Sequence, residues 1–410
     1  MAIREQHMLA RLVLRLALFH LTIKHVVVSA HTSCPQNSFR TCNCECYENT
    51  THLFIIDCSS ESFNEVPTFG NVSLSVIIKL NLANNSLSRL TAISASPFAG
   101  FIKFINLKTL DLSYSSISMN GSKGSVINVT TFAGLDSLEE LDVSNNHNLP
   151  FTNLTDPNLF NNLTSLKILK MYGTTNVSHA TEGYPNKLWS NVPPLEEIWI
   201  DGLPFEVFGE EFKRMPNLKN IRISGDLIDL LWLAHKYCHI EHISNEMLTN
   251  LEHVSNLSIV HSNVHSISEL AFNGVKNLNV LDLSCNLELG FGNASRGFGH
   301  LNSGLKMLAL NNIERRYYVI INDSFVRSLR NTSLTHLYIE SNIFRFDENA
   351  FINLPISLKK LYARNNRFDL DYYLTRMKDL TNLELLDLSL NKLTFFNNDT
   401  NHEQKFCSSG

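Results

Sequence analysis

The sequence of 410 residues lacks an excess of charge of either sign, because 34 Lys and Arg residues face 39 Asp and Glu residues. A net charge of −5 at pH 7 provides no polybasic surface, so electrostatic binding of nucleic acid at neutral pH is not expected. Hydrophobic residues make up 44% of the chain, a share that excludes a wholly disordered protein. Eight cysteines are too few for a disulfide-dense scaffold of this length.

Recognisable catalytic motifs are also missing. The sequence contains no Gly-x-Ser-x-Gly nucleophile elbow, no His-Glu-x-x-His zinc motif and no glycine-rich phosphate loop. Its 16 histidines and many carboxylates do not follow the spacing of a known catalytic site. We therefore expect neither an enzymatic activity nor a cofactor nor a bound metal.

The first 30 residues have the pattern of a secretory signal peptide. Arg4, Arg11 and Arg15 supply the basic region, residues 16–23 form the apolar stretch, and a small-residue cleavage site ends at Ala30. Polar interruptions of the apolar stretch leave an uncleaved anchor as the alternative. After Ala30 no run of about 18 apolar residues follows, so we expect no membrane span in the remaining sequence.

Sequons for N-linked glycosylation occur along the whole chain and support export independently. Thirteen Asn-x-Ser/Thr sites are typical of a glycoprotein of the secretory route, although an Asn-rich sequence forms some of them by chance. The candidate glycosylation sites are Asn49, Asn71, Asn84, Asn120, Asn128, Asn153, Asn162, Asn176, Asn256, Asn293, Asn322, Asn331 and Asn398.

Five of the eight cysteines lie within residues 34–58. In an exported protein this cluster predicts two disulfides and one spare cysteine. A zinc site is the less favoured alternative, because no second paired set lies nearby. The disulfide candidates are Cys34, Cys42, Cys44, Cys46 and Cys58, while the pairing of Cys238, Cys285 and Cys407 stays open.

From residue 77 onward one pattern recurs, Leu-x-x-Leu-x-Leu-x-x-Asn-x-Leu, and its clearest copy runs from Leu278 to Asn286. Successive copies are 23 to 36 residues apart, in or close to the range of leucine-rich repeats. In twelve copies the second apolar position is occupied by Leu80, Leu110, Leu141, Leu169, Ile198, Ile221, Leu257, Leu281, Leu308, Leu337, Leu361 and Leu386.

The pattern predicts how each copy folds. Leu-x-Leu has the periodicity of a β-strand, so both leucines point into the core and the residues between them point outward. One coil cannot bury its own leucines, so the coils stack and the ends of the stack need caps. A second apolar pair closes the outer side of several coils and begins at Phe98, Phe132, Phe160, Phe272 and Phe351.

Each turn out of a strand needs side-chain hydrogen bonds, which an Asn provides. Six copies keep this residue, namely Asn85, Asn146, Asn286, Asn342, Asn366 and Asn391. The other copies carry Ser115, Thr174, Leu203, Asp226, Ser262 and Ile313. These departures concentrate in the middle copies, where they mark either a functional surface or sequence drift.

We therefore predict an α/β fold, a leucine-rich repeat solenoid shaped as a horseshoe, with about twelve repeats and a parallel β-sheet on its concave face. Its segments are a signal peptide at 1–30, a cysteine-rich N-terminal cap at 31–75, the solenoid at 76–396 and an uncapped tail at 397–410.

Two segments carry a family resemblance. Residues 34–67 resemble the cysteine-rich cap of extracellular leucine-rich repeat proteins, and residues 76–394 resemble their repeats. The phrase from Leu380 to Leu393, the long irregular copies and the many sequons resemble a Toll-like receptor ectodomain. The sequence includes no C-terminal cysteine-rich cap, membrane span or signalling domain of such a receptor. A truncated receptor and a soluble binding form are both compatible with that pattern.

The resemblance implies a receptor ectodomain that recognises a protein, glycan or microbial product by surface complementarity in innate immunity, with homo- or heterodimerisation of a full receptor. It also implies a secreted or extracellular location, or the endosomal-lumenal side of a membrane. A structural or adhesive matrix protein is the alternative, as is the ectodomain of a hormone or neuronal-guidance receptor. The irregular copies favour the receptor.

Residues that flank the inward leucines face the concave side and form the candidate ligand-binding surface. Exposed aromatic and arginine residues there resemble a binding hot spot. The candidates are Lys170, Tyr172, Trp199, Asp201, Arg222, His336, Tyr338, Glu340, Lys360, Tyr362 and Arg364. Asn256 faces the same side between the two groups, where a glycan would separate them. Binding by convex or lateral loops is the alternative.

A histidine-rich stretch follows the sixth copy. His235, Cys238, His239 and His242 would share one face if this stretch were helical. Such a face could hold a metal ion, could sense pH, as the endosomal members of the family imply, or could be a solvated surface over an inserted helix.

We predict that the expressed protein is N-glycosylated and begins near His31, because the signal segment and the sequons both direct it into the secretory route. Glycosidase treatment should lower its apparent mass by the equivalent of several glycans, and N-terminal sequencing should locate the cleavage site. An unglycosylated cytosolic product would contradict the assigned compartment.

Overall fold

The fold is given by a computed structural model, which describes residues 41–47, 53–67, 69, 73–87, 104–117, 127, 131–147, 149, 157–174, 186–203, 207–224, 238–301, 303–314, 319–342, 344–347, 350, 353–367 and 380–391.

Short strands dominate the described residues. They are β1 (Asn43–Cys46), β2 (Phe54–Asp57), β3 (Ile77–Asn81), β4 (Thr109–Asp111), β5 (Glu140–Asp142), β6 (Ile168–Lys170), β7 (Glu197–Ile200), β8 (Asn220–Ser224), β9 (His242–Ile243), β10 (Asn256–Val260), β11 (Ser266–Ile267), β12 (Val280–Asp282), β13 (Met307–Ala309), β14 (Val319–Ile321), β15 (His336–Tyr338), β16 (Phe344–Phe346), β17 (Lys360–Tyr362) and β18 (Leu385–Asp387). Two α-helices, α1 (Gly290–Phe298) and α2 (Asp323–Leu329), accompany them. Single 3₁₀ turns lie at Leu74–Val76, Asn186–Asn191, Glu210–Arg214 and Ala271–Gly274.

Fourteen of the described strands form one long sheet in the order β1-β2-β3-β4-β5-β6-β7-β8-β10-β12-β13-β15-β17-β18. From β2 onward neighbouring strands are parallel, as stacking of successive coils requires. Leu80 pairs with Leu110, Leu110 with Leu141, and the same register continues through Leu361 to Leu386. The sequence-derived solenoid of twelve copies with a parallel sheet is confirmed.

The core lies behind the sheet and is continuous along the solenoid. Within a typical strand such as β4, the central Leu110 is fully buried and its two neighbours are half-buried. The second inward residue, Leu112, is fully buried as well. One connected set of buried apolar side chains extends from Phe54 in β2 to Leu380 before β18. Each coil therefore buries its leucines against its neighbours.

Aromatic side chains fill the outer side of the coils. Phe132 and Phe160 stack with their ring centres 6.3 Å apart, and Trp189 continues the layer against Phe212 at 5.4 Å. Further along, α1 and α2 replace the turns and pack through Phe298, whose ring lies 6.0 Å from that of Phe325. Phe132, Phe160 and Phe272 thus occupy the predicted outer positions, whereas Phe98 and Phe351 lie outside the described residues.

Buried asparagines connect successive coils. The Nδ2 of Asn146 donates to the carbonyl oxygens of Leu112 and Val143 at 3.0 and 2.8 Å. Its Oδ1 accepts hydrogen bonds from the backbone N–H groups of Ser115 and Ile117. Equivalent bonds to the preceding coil are made by Asn85, Asn286, Asn342, Asn366 and Asn391. The predicted role of the turn asparagines is confirmed.

The residue before the asparagine position repeatedly adopts a left-handed backbone, which makes the chain leave the strand sharply. Most of these residues are polar, and their φ lies between 50° and 66°. They are Asn84, Tyr114, Asn145, Gly173, His261, Cys285, Asn312, Ser341, Asn365 and Leu390. The one glycine among them, Gly173, lies so close to Asn145 that a Cβ would be 2.0 Å from its Oδ1.

The N-terminal end of the sheet is an antiparallel hairpin. β1 pairs with β2, and β2 continues in parallel to β3. Cys42 and Cys58 form a disulfide at this end, and Cys44 is disulfide-bonded as well. Cys46 ends β1 opposite Phe54, and Cys34 lies outside the described residues. A disulfide-bonded cap therefore covers the first repeat.

The predicted segment boundaries stay predictions, because segments 1–30 and 397–410 lie wholly outside the described residues. Within the part of the chain that the structure describes, no helix has the length and apolar character needed to cross a membrane.

We predict that Asn146→Ala lowers the free energy of unfolding by about 3 kcal/mol or more, because several buried backbone groups lose their partner. Urea denaturation of the purified protein measures this change. Asn217→Ala is the matched control, since Asn217 is exposed and should change stability by less than about 0.5 kcal/mol. Equal stability of the two variants would contradict the role of the buried asparagine.

Candidate functional site

The concave face of the sheet is built from outward side chains in register. The residue after each inward register position stands beside its equivalent on the next strand, because parallel strands are in phase. From β4 to β18 this central row consists of Asp111, Asp142, Lys170, Trp199, Arg222, Ser258, Asp282, Ala309, Tyr338, Tyr362 and Asp387.

The bulkiest cluster of the row surrounds Trp199 and includes Lys170, Tyr172 and Arg222; we call it the tryptophan cluster. The Lys170 ammonium and the Arg222 guanidinium each lie 4.9 Å from the centre of the Trp199 ring. They come from the two strands that flank β7, so the indole is held between two cations. The Tyr172 ring lies 5.9 Å from the indole. Sequence reasoning placed these four residues together, and the structure does so too.

Two carboxylates bond to side chains of the tryptophan cluster. The Lys170 Nζ lies 2.5 Å from Oε1 of Glu140. Burial acts to lower the pKa of Lys170, but the hydrogen bond and charge of Glu140 outweigh it and raise that pKa. Glu197 accepts hydrogen bonds from the Trp199 indole and from Nδ2 of Asn220. Sequence reasoning missed Glu140 and Glu197, although both precede a register residue on strands adjoining the cluster.

The expectation that Asp201 lies on the exposed face is wrong. Asp201 is fully buried, and its carboxylate accepts hydrogen bonds from the backbone N–H groups of Gly173 and Thr174. The chain leaves β7 after Ile200, so outward alternation no longer applies at Asp201. The carboxylate there replaces the oxygen of the turn asparagine, which this copy lacks at Leu203.

A second cluster lies on β15 and β17 and consists of His336, Tyr338, Glu340, Lys360, Tyr362 and Arg364; we call it the tyrosine cluster. The rings of Tyr338 and Tyr362 stack in parallel with centres 4.5 Å apart. Five of its side chains are half-buried and Arg364 is exposed. The structure therefore brings this second predicted group together on the outer face of the sheet.

The tyrosine cluster shifts the pKa of several of its members. Burial and the neighbouring Tyr362 raise the pKa of Tyr338. Burial and Asp387 raise the pKa of Glu340, against the opposing charge of Arg364. Burial and Lys360 lower the pKa of His336.

Two acidic side chains occupy the row on the N-terminal side of the tryptophan cluster. Asp111 and Asp142 are neighbours on β4 and β5, and each accepts a hydrogen bond from the backbone N–H group two residues on. Burial, and then the charge of Asp111, raise the pKa of Asp142 to about 6. The pKa of Asp142 thus lies above the usual range of an aspartate carboxyl.

The helical interpretation of the histidine-rich stretch is wrong for its described part. Residues 238–241 form no helix, and β9 begins at His242. Cys238 is buried, contacting the backbone N–H of Gly202 and the hydroxyl of Ser262 at 3.0 and 2.9 Å. His239 bonds to Glu241, whereas His242 bonds to Ser266 and Ser268.

These side chains point to different partners, because the chain turns sharply at Glu241. Its φ is 57°, and the His242 N–H donates to the carbonyl of Ile240 across it. No group of three or more His, Cys, Asp or Glu side chains in the described ranges is arranged to hold a metal ion. His235 and Cys407 lie outside those ranges, while Cys285 is half-buried at the end of its turn.

Six sequon asparagines lie in the described part of the chain. Asn84, Asn322 and Asn331 are exposed, and Asn162, Asn256 and Asn293 are half-buried. Asn256 lies on β10 between the tryptophan and tyrosine clusters, where its Nδ2 donates to Oδ1 of Asn220 at 2.5 Å. The remaining candidates, Asn49, Asn71, Asn120, Asn128, Asn153, Asn176 and Asn398, lie outside the described residues.

No family model matches the chain. It is similar to Toll-like receptor 4 of Pinctada imbricata, with 29% identity over 266 residues, covering 63% of this chain and 28% of that protein. It is also similar to Toll-like receptor 3 of Homo sapiens, with 26% identity over 344 residues, covering 80% of this chain and 32% of that protein. The chain thus spans about a third or less of the length of these curated relatives.

A solved structure of a TLR13–ssRNA13 complex contains a chain of the same fold. The TM-score is 0.55 at 21% sequence identity, and the match covers 78% of this chain and 43% of that chain. At this identity the likeness shows the fold alone.

We predict that Asp142→Asn stabilises the protein at pH 7 by at most about 3 kcal/mol, because the ionised carboxylate is half-buried beside the charge of Asp111. The pKa of Asp142 is higher in the folded than in the unfolded chain, so the folded chain binds more protons between about pH 4 and pH 6. Wild-type stability should therefore fall as pH rises through this window. The variant should lack this fall when urea denaturation is measured across the pH range.

Asp387→Asn serves as the control, because Asp387 occupies the same position in its copy while a hydrogen bond from Ser389 lowers its pKa. Its removal should not stabilise the protein at pH 7. A stability profile of Asp142→Asn that follows the wild type at every pH would contradict the raised pKa of this half-buried carboxylate.

Proposed function

Because this leucine-rich repeat protein resembles the Toll-like receptor ectodomains, we propose that the chain is the ligand-recognising part of an innate immune receptor. It binds a protein, a glycan or a microbial product through its concave face, by complementarity of shape and surface chemistry. Dimerisation belongs to this proposal where the chain is part of a full receptor.

The tryptophan cluster carries the proposal. Aromatic and arginine side chains on an accessible face are the residue types that dominate binding energy at interfaces. Trp199 and Arg222 are half-buried on a rigid strand pair, and contacts with Lys170 and Tyr172 fix the indole in place. Ordering such side chains before binding lowers the entropy that a ligand must overcome.

The tyrosine cluster adds a second anchor of the same kind. Tyr338 and Tyr362 hold each other in a parallel stack, and charged groups of both signs surround them. Tyr side chains combine a large apolar ring with a hydroxyl, so they bind proteins and saccharides alike. Two pre-ordered aromatic clusters on one face support recognition of a ligand more than they support a purely structural role.

The proposed location is extracellular, or the lumenal side of an endosome. The predicted signal segment, the sequons and the disulfide between Cys42 and Cys58 all fit an oxidising compartment. The exposed sequon residues Asn84, Asn322 and Asn331 are accessible to glycans without any rearrangement of the sheet.

We predict that Trp199→Ala or Tyr362→Ala weakens ligand binding by about 2 kcal/mol, roughly thirty-fold in affinity, while secretion stays normal. A panel of purified bacterial cell-wall fragments, lipopolysaccharide, glycans and secreted proteins, tested by surface plasmon resonance, would first identify a binder of the wild type. The same binder is then titrated against both variants.

Ile356→Ala is the matched control, because Ile356 is 72% exposed outside the concave face. It should bind like the wild type. Unchanged affinity in both aromatic variants, with circular dichroism identical to the wild type, would move the binding site to the convex or lateral loops. A ligand whose binding is abolished only by Ile356→Ala would also place the binding site outside the concave face.

A further inference from the structure

Arg222 occupies the centre of the concave row and has no anionic partner among the residues that the structure describes. Its guanidinium lies against the Trp199 ring on one side, and Ser258 is its neighbour on the other. Its Nε is buried without a hydrogen-bond acceptor, and no carboxylate among the described residues forms an ion pair with it. A buried cationic donor without a partner is costly, so this residue requires an explanation.

No carboxylate near Arg222 in the described part of the chain forms an ion pair with its guanidinium. Glu140 is paired with Lys170, and Glu197 accepts from Trp199 and Asn220. Asp282 lies two strands from Arg222, roughly 10 Å away at the usual strand spacing, and its Oδ1 accepts the backbone N–H of Ser284. The Nε of Arg222 therefore receives no acceptor from these carboxylates, although the charge of Glu197 lies in the same cluster.

Ser258 supplies a second polar atom without a partner at the same place. It is the in-register neighbour of Arg222 on β10, and its hydroxyl oxygen is buried with no hydrogen-bond partner. Two adjacent strands thus present a guanidinium donor and a hydroxyl donor side by side toward the concave face. Native structures rarely leave two neighbouring buried polar groups unsatisfied unless something else satisfies them.

We propose that Arg222 and Ser258 form an oxyanion subsite for an acidic group of the concave ligand. The guanidinium fork donates to two oxygens of a carboxylate, sulfate or phosphate group, and the Ser258 hydroxyl donates to an oxygen of the same group. The Trp199 ring covers the opposite side of the guanidinium, which keeps water away and strengthens the charged hydrogen bonds. This subsite rests on the proposed binding role of the concave face.

A glycosylation sequon overlaps the subsite, which determines how it is tested. Ser258 is the hydroxyl residue of the sequon that begins at Asn256, so Ser258→Ala removes both the donor and the sequon. All variants are therefore made in an Asn256→Gln background. Any change in affinity then belongs to the lost hydroxyl rather than to a lost glycan.

The test is a titration of the purified protein with inorganic phosphate, sulfate and glucuronate at constant ionic strength. Trp199 fluorescence reports occupancy, because the indole touches Arg222, and calorimetry gives an independent affinity. The Asn256→Gln protein should show saturable binding of at least one of these anions. The anion that binds most tightly identifies whether a carboxylate, a sulfate or a phosphate group suits the subsite.

Arg222→Gln should weaken anion binding about tenfold or more, since a charge-assisted pair of hydrogen bonds is lost. Arg222→Lys, which keeps the charge without the fork, should bind with intermediate affinity and serves if the first variant does not fold. Ser258→Ala should weaken binding several-fold. Arg214→Gln is the matched control and should bind normally, because Arg214 is exposed in the 3₁₀ segment Glu210–Arg214, outside the sheet.

No saturable binding of any of the three anions, or equal affinity of the Arg222 variants and their parent, would overturn the subsite. Either result leaves the concave binding role itself intact, because that role is measured with the ligand panel and with Trp199→Ala and Tyr362→Ala. Conversely, anion binding at Arg222 together with a panel ligand unaffected by the aromatic variants would reject the concave role for that ligand alone.

Discussion

In six of the twelve copies a side-chain amide in the turn holds neighbouring coils at a constant spacing. Asn146 shows how, because its single amide bonds a carbonyl of its own coil together with a carbonyl and two N–H groups of the preceding coil. Backbone polar groups inside a solenoid have no access to water, so they must find such partners. The in-register sheet, the continuous leucine core and the ordered rows on the concave face all depend on this repeated satisfaction of the backbone.

The copies that lack the asparagine solve the same problem in other ways, and three of these six copies carry the tryptophan cluster. The Thr174 hydroxyl donates to the carbonyl of Met171. The Asp201 carboxylate of the next copy accepts hydrogen bonds from the backbone N–H and the hydroxyl of Thr174. In the longest copy, the Cys238 thiol contacts the hydroxyl of Ser262, which occupies the asparagine position of the next copy. Changes in the turn chemistry thus coincide with the bulkiest part of the concave row, so the irregular copies combine an altered interior with an altered surface.

The strands could be predicted from the sequence because Leu-x-Leu specifies both period and burial, and twelve copies specify a common register. The two aromatic clusters followed from that register. Asp201 could not be placed correctly, because outward alternation ends where the chain leaves β7. The histidine spacing failed as a helical signal because it involves polar residues alone and carries no information on burial. Arg222 and Ser258 follow the register residues of two successive copies, so the sequence could place them side by side. Only the structure shows that the Arg222 Nε and the Ser258 hydroxyl lack hydrogen-bond partners.

The order of the strands also sets the distance between the two clusters. The last strand of the tryptophan cluster, β8, is separated from the first strand of the tyrosine cluster, β15, by four strand-to-strand spacings. At the usual spacing of parallel strands these steps amount to about 19 Å. A monosaccharide or a single amino acid is too short to touch both clusters. A molecule that engages them together must be an oligomer or a folded surface, so the distance between the clusters selects for size before any chemical contact is made.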